Sequence, residues 1–321
     1  MKTLKTQQKI LITGGSGYIG SVLVDYLLKK GLFVIVIDIF PFSGHIPQQY
    51  KKKFEYIQSD IRKIDSMLLK NIFAIIHLAA FSNETTSDKN PKETRKVNTL
   101  AAIALAQKAK KMNVKRFIFS SSSSIYDKGM GNKDEPKSEK AQVYPSGVYS
   151  VSKYQAEKEL LTLSDKNFSV VILRKATVCG FSPVMRFDLV VNAMVRSALT
   201  KGYIRVYCKG LQWRPLISVD DVAQAYYKTL IAPKQKVAGQ IFNIGFANFQ
   251  VRDIALLVQE TMAKHFSLRP KTIFEQDDRK DRSYMISTKK AKDVFNFTAK
   301  KTIEEVIIDL VKKLLDEKKY L

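Results

Sequence analysis

A glycine-rich turn between an apolar run and a helix-like segment restricts this chain more than any other feature. Lys9-Ile-Leu-Ile-Thr13 leads into Gly14-Gly-Ser-Gly-Tyr-Ile-Gly20, which leads into a helical pattern over residues 21 to 30. A second apolar run, Phe33-Val-Ile-Val-Ile37, follows, so the order reads strand, helix, strand. Parallel strands need such crossovers, because a tight turn can join only antiparallel neighbours. The rhythm continues through Phe73-Ala-Ile-Ile-His77, a helix predicted over 92 to 112, Arg116-Phe-Ile-Phe119, a helix over 149 to 163, and Val170-Val-Ile-Leu173.

Right-handed crossovers place helices on both faces of such a sheet, so the expected class is α/β, a Rossmann-type doubly wound parallel sheet. After Lys175 the alternation loosens. Helices are predicted over 188 to 200, 222 to 231 and 302 to 315, with a strand over 240 to 244. The expected division is a first domain over 1–175, with 215–245 returning to it, and a smaller interleaved lobe formed by 176–214 and 246–321.

Composition excludes several classes. With 45% hydrophobic and 26% charged residues, the chain can bury a sizeable core and is not globally disordered. No apolar stretch reaches membrane-spanning length, and the polar start has no signal-peptide pattern. Cys179 and Cys208, with three histidines, form neither a disulfide framework nor a zinc-like spacing, so no metal is expected and a reducing cytoplasm is the simplest compartment. The net charge of +24 raises the question of a nucleic-acid partner, but the lysines are scattered along solvent-facing patterns rather than gathered in one patch. Neither nucleic acid nor a membrane is therefore expected as a partner.

Gly14, Gly17 and Gly20 allow a tight turn and a close approach of backbone to a pyrophosphate, whose charge then faces the N-terminus of the following helix. Gly14, Gly17, Tyr18, Ile19 and Gly20 are thus candidate cofactor-binding residues. The second strand ends at Asp38, where a carboxylate can accept from the hydroxyls of an adenosine ribose and repel a 2′-phosphate. This favours NAD over NADP.

Tyr149-Ser-Val-Ser-Lys153 sets tyrosine and lysine four apart at a helix start, on one face. An ammonium near a phenol favours the phenolate, a general base for a substrate hydroxyl as hydride leaves the adjacent carbon. Upstream, Phe117-Ile-Phe-Ser-Ser-Ser-Ser-Ser-Ile-Tyr126 is a strand ending in hydroxyls. Arg186 and Asn192 in the second lobe are candidates either for substrate binding or for a structural role.

These features together resemble the extended short-chain dehydrogenase/reductase family, in its NAD-dependent sugar epimerase/dehydratase branch. The ordered matches also include Asp60-Ile-Arg62, His77-Leu-Ala-Ala80, Val97-Asn98, Leu173-Arg174, Val219-Asp-Asp221, Phe242-Asn-Ile-Gly245 and Asp281-Arg-Ser-Tyr284. The resemblance implies that Asp60 and Ile61 meet adenine, that Ala79 lies near the cofactor's ribose and phosphate, and that Ser122 is the catalytic hydroxyl beside Tyr149 and Lys153. It likewise implies that Arg214 and Arg282 face a nucleotide diphosphate, and that the chain forms a homodimer by pairing helices 92–112 and 149–163. Two departures stand out: Asp127 replaces a glycine after Tyr126, and Thr177-Val-Cys-Gly180 replaces the usual Asn-x-Tyr-Gly.

Relatives that eliminate water carry Asp-Glu directly after the catalytic hydroxyl, because elimination needs a further acid and base. Ser123-Ser124 stand there in this chain. The expected function is therefore an NAD-dependent nucleotide-sugar epimerase, acting at C4 through a keto-sugar. The alternatives are a 4-dehydrogenase or reductase, a 4,6-dehydratase, or a non-catalytic RNA-binding or regulatory relative.

Overall fold

The computed structural model describes residues 8–126, 135–276, 282–317 and 320, so Asp127 and Asp281 lie outside the described residues. The strands are β1 (Lys9–Thr13), β2 (Phe33–Asp38), β3 (Phe54–Gln58), β4 (Ile72–His77), β5 (Arg116–Ser122), β6 (Ser169–Lys175), β7 (Thr177–Cys179), β8 (Tyr203–Val206), β9 (Trp213–Ser218), β10 (Gln240–Ile244), β11 (Ala247–Gln250) and β12 (Lys271–Phe274). The helices are α1 (Tyr18–Lys29), α2 (Glu84–Lys89), α3 (Pro91–Thr94), α4 (Ala102–Lys111), α5 (Val148–Thr162), α6 (Val190–Lys201), α7 (Val219–Ile231), α8 (Lys234–Val237), α9 (Val251–Phe266), α10 (Lys289–Phe295) and α11 (Ile303–Asp316).

Seven strands form the main sheet in the order β10-β6-β5-β4-β1-β2-β3, and every neighbouring pair is parallel. The order reverses between β1 and β4, which opens a crevice beyond the carboxyl ends of the strands at that point. Near-continuous burial of β1, β2, β4 and β6 reflects helices on both faces, so their residues read as apolar runs rather than alternation. On one face α1 packs against α7; on the other, α4 and α5 cover Leu11, Ile75, Phe117 and Ile172.

The segment predicted as one helix over 92–112 is α3, a π-helical turn at Arg95–Ala101, and α4. The widened turn carries Asn98, whose Oδ1 accepts from Phe81 N at 2.9 Å while its Nδ2 donates to Phe81 O at 3.0 Å and Ser152 Oγ at 3.1 Å. A buried amide so placed ties the loop after β4 to α5.

Of the segment 215–245, β10 pairs with β6 and α7 packs on α1, whereas β9 joins β7 and β11 in a separate three-stranded sheet. That sheet and α6, α9 and α11 enclose a second apolar core around Val195, Leu216, Val258, Met262 and Leu310. Helix α11 begins with a reciprocal capping box, Thr302 Oγ1 accepting from Glu305 N and Glu305 Oε2 from Thr302 N. Among the described residues, no helix is long and apolar enough to cross a membrane.

Candidate active site

A cavity of about 580 Å³ lies beyond the carboxyl ends of β1, β2, β4, β5 and β6. Its floor at one end is the glycine turn. Gly14 sits at φ +74°, and a Cβ there would come within 2.5 Å of Ala79 N, so only glycine lets β1 and the loop after β4 approach this closely. At Gly20 a Cβ would strike the backbone of Gly14 and Gly15. At Gly17 a Cβ would meet only Gly14 O, at 3.4 Å, and this residue precedes α1 without a side-chain cap, leaving the first N–H groups of the helix for an anion.

Asp38, 8% exposed, is held from two sides: Oδ2 accepts from Ser16 N of the glycine turn at 3.0 Å and Oδ1 from Phe40 N of its own turn at 3.1 Å. Both a capping role and a ribose-facing role are therefore open to it, since it lines the cavity. Asp60, Ile61 and Ala79 line the same wall. Arg62 lines the cavity too, paired with Asp60 at 2.6 Å and Glu93 at 2.8 Å. Tyr18 and Ile19 both line the cavity, and the Tyr18 hydroxyl donates to Gly180 O at 2.7 Å.

At the other end stand Ser122, closing β5, and Tyr149 and Lys153 on successive turns of α5. Lys153 Nζ lies 4.7 Å over the ring of Phe119 and 5.9 Å from that of Tyr149. Burial pushes the Tyr149 phenol up to about 12, against the positive charge of Arg186 and the hydroxyl of Ser122. Burial brings Lys153 down to about 7, with Glu157 opposing it. The expected depression of the phenol by the lysine is thus not a property of the chain alone, because desolvation dominates both groups.

Helix α5 has no acidic residue in its first turn, and Glu84 of α2 supplies one from outside. Its carboxylate accepts from Tyr149 N at 2.9 Å and Ser150 N at 3.0 Å, and it pairs with Arg282 at 3.1 Å. No spacing in the sequence announces this residue. The same holds for Tyr226 beneath the site, whereas Tyr284 at its wall closes the matched motif that carries Arg282.

Of the four second-lobe candidates, Arg186 and Arg282 line the cavity. Arg186 pairs with Asp188 at 2.5 Å and donates to Ser82 Oγ at 3.1 Å. Arg214 and Asn192 do not line it. The Arg214 guanidinium donates to Trp213 O at 2.9 Å and to Arg282 O, supporting the loop that carries Arg282. Asn192 is fully buried; Oδ1 accepts from Gly180 N at 3.0 Å, and Nδ2 donates to Tyr18 Oη at 3.2 Å and Arg186 O at 3.0 Å. Its amide is occupied by the joint between lobes rather than presented to a substrate.

Several residues of the matched motifs lie outside the cavity for a definite reason. Thr13 Oγ1 meets His77 Nδ1 at 2.7 Å, and burial, with Lys153 nearby, lowers His77 to about 3, so its ring is neutral. Arg174, Tyr126 and Asn243 form a buried chain: Arg174 Nη1 donates to Tyr126 Oη at 2.7 Å, which donates to Asn243 Oδ1 at 2.9 Å.

Residues 10–245 match the model of the NAD dependent epimerase/dehydratase family. The chain is 30% identical over 269 residues to a dTDP-D-glucose 4,6-dehydratase of Dictyostelium discoideum, covering 77% of this chain and 60% of that protein's length. It is 30% identical over 277 residues to the uncharacterized UDP-glucose epimerase YtcB of Bacillus subtilis (strain 168), covering 81% and 85% respectively. The solved structure of MoeE5 in complex with UDP-glucose and NAD superposes with a TM-score of 0.82 at 28% identity, over 96% of this chain and 99% of that one. With its parallel sheet, its glycine turn at the reversal of strand order, and a match over most of its length, this chain belongs to the NAD dependent epimerase/dehydratase family.

Proposed function

We propose that the protein is an NAD-dependent nucleotide-sugar epimerase that inverts C4 through a keto-sugar intermediate. One observation carries the choice of reaction: among the described residues, every carboxylate lining the cavity is already held. Asp38 accepts two backbone N–H groups, Asp60 and Glu93 hold Arg62, Glu84 caps α5, and Asp188 holds Arg186. The positions after Ser122 are the buried Ser123 and Ser124, which cannot act as the acid and base of an elimination. Oxidation at a hydroxyl needs only the Ser122, Tyr149 and Lys153 group.

In this reading Tyr149 takes the hydroxyl proton, Ser122 hydrogen-bonds the same oxygen, and Lys153 holds the phenol's surroundings positive. NAD, when bound, supplies the acceptor for the two electrons and a positive charge beside the phenol. Arg186 and Arg282 bind the diphosphate, Arg282 exchanging Glu84 for phosphate oxygens. Incubation with UDP- and dTDP-hexoses followed by NMR tests the proposal. C4 inversion without net NADH is expected; accumulated NADH or a 4-keto-6-deoxy sugar overturns it.

Asp38→Ala should narrow the preference for NAD over NADP by roughly ten- to hundred-fold, the worth of a charge-assisted hydrogen bond. Calorimetric titration of both cofactors checks this, and an unchanged ratio would leave Asp38 a turn cap only. We also propose a homodimer built on residues 92–112 and 149–163, where Leu100 of the π-helical turn is 44% exposed and Ile103 of α4 and Leu161 of α5 are only partly covered. Light scattering should give a mass near twice the 36.5 kDa of the chain; a monomer at micromolar concentration excludes the pairing.

A further inference from the structure

Lys175 ends β6 and turns its side chain under the catalytic end of the cavity, which it lines together with Tyr149, Lys153 and Ser122. It is 8% exposed, and Nζ donates to Ser120 Oγ and Ser121 O, each at 2.6 Å. Both partners are neutral oxygens. Among the described residues no carboxylate pairs with it, although a buried ammonium ordinarily requires one.

The charged and titratable groups facing it come from every side. Helix α5 presents Lys153 and Tyr149, the loop after β7 presents Arg186, and α7 presents Tyr226, whose buried hydroxyl lies beside Ser120; β5 contributes only serines. The fixed charges are thus all positive. Burial first, then Lys153 and Arg186, hold the Lys175 ammonium well below the usual lysine range. Nζ thus finds two neutral acceptors and no counter-charge, surroundings that favour the uncharged amine over the ammonium.

We propose that Lys175 is a proton-binding group linked to the redox state of the cofactor, an uncharged amine while a cationic nicotinamide occupies the cavity and an ammonium once that charge is gone. The inference rests on the reading of this cavity as the NAD site. The balance concerns exchange of cofactor rather than turnover. During turnover the hydride and the O–H proton both stay within the site, so its net charge does not change. Replacement of bound NAD by NADH removes one positive charge from the cavity, and an amine facing only cations then becomes more basic and takes up one proton from solvent.

The affinities of the protein for NAD and NADH, measured by fluorescence or calorimetry between about pH 6 and about pH 9, test this. Linkage requires the preference for NADH over NAD to rise, by up to about tenfold per pH unit, as pH falls. In Lys175→Met that ratio should become flat. A ratio independent of pH in the wild type, with both cofactors binding, overturns the inference; a slope retained in Lys175→Met assigns it to Lys153 or Tyr149 and overturns it equally. Failure of both cofactors to bind instead overturns the proposed function.

Thermal melts give a second arm. A lysine depressed on folding binds its proton in the unfolded chain but not in the folded one, so wild-type stability gains as pH rises toward the ordinary lysine value of about 10.4. Lys175→Met should therefore melt above wild type at neutral pH, with the gap closing as pH approaches that value. A variant that melts lower by a constant margin, or fails to fold, shows that the amine is a structural ammonium and removes the proposal.

Discussion

Tyr149→Phe should lower turnover about 10²–10⁴-fold, the usual contribution of a positioned general base, while leaving the fold and NAD affinity in place. The substitution keeps the ring and its packing at the start of α5, and it deletes only the hydroxyl that faces Ser122. The pH profile separates a base from a packing residue. Burial holds the phenol near 12 in the chain alone, so wild-type turnover should climb with pH from the acid side until the phenolate is fully formed in the complex. In Tyr149→Phe that limb should vanish. Single-turnover formation of NADH, followed by absorbance at several pH values, reads both quantities; a variant that forms NADH at the wild-type rate would refute the mechanism. Ser122→Ala and Lys153→Met should not add to Tyr149→Phe, because the three groups act on one oxygen.

Glu157→Ala should cost about 3–5 kcal/mol of stability, the largest effect expected of any substitution outside the cavity. Glu157 is 1% exposed on α5, and it holds Arg174 of β6 through three contacts, at 2.7 Å, 3.1 Å and 3.2 Å. Ser121 also donates to it. Its removal leaves a guanidinium buried without a counter-charge, and Arg174 in turn orders Tyr126 and Asn243. The prediction is therefore a loss shared by β5, β6 and β10 rather than a local one. Denaturant unfolding of Glu157→Ala, Arg174→Met and the double variant completes a cycle. The double variant should be more stable than Glu157→Ala, since no charge is then left unpaired; equal stability would mean that the pair is solvated in solution.

The alternation of apolar runs and helical periods was enough to determine the parallel sheet, because fully buried strands must be apolar on both faces and crossovers must be helical. The glycine turn, Asp38, and the Tyr149 and Lys153 pair were legible for a similar reason: their chemistry depends on local spacing along one strand or one helix. Helix α9 and the strands β3, β8 and β12 were not anticipated. The strands are four or five residues long and only partly buried, so their patterns carry little period-2 signal.

Tertiary structure alone decided the long-range assignments. Sequence reading placed Asn192 and Arg214 with the substrate, yet their side chains bond to Tyr18, Gly180 and the Arg282 loop, because a polar group at a joint between lobes must satisfy itself there. Glu84 lies 65 residues from Tyr149 in the chain and caps its helix all the same. Lys175 reads as the polar end of a strand, and only the packing of β5, α5 and α7 around it turns it into a buried amine among cations. Spacing along the chain specifies groups that act within one element. The charge state and partners of a side chain depend on what other elements bring against it, and that is settled only when the chain has folded.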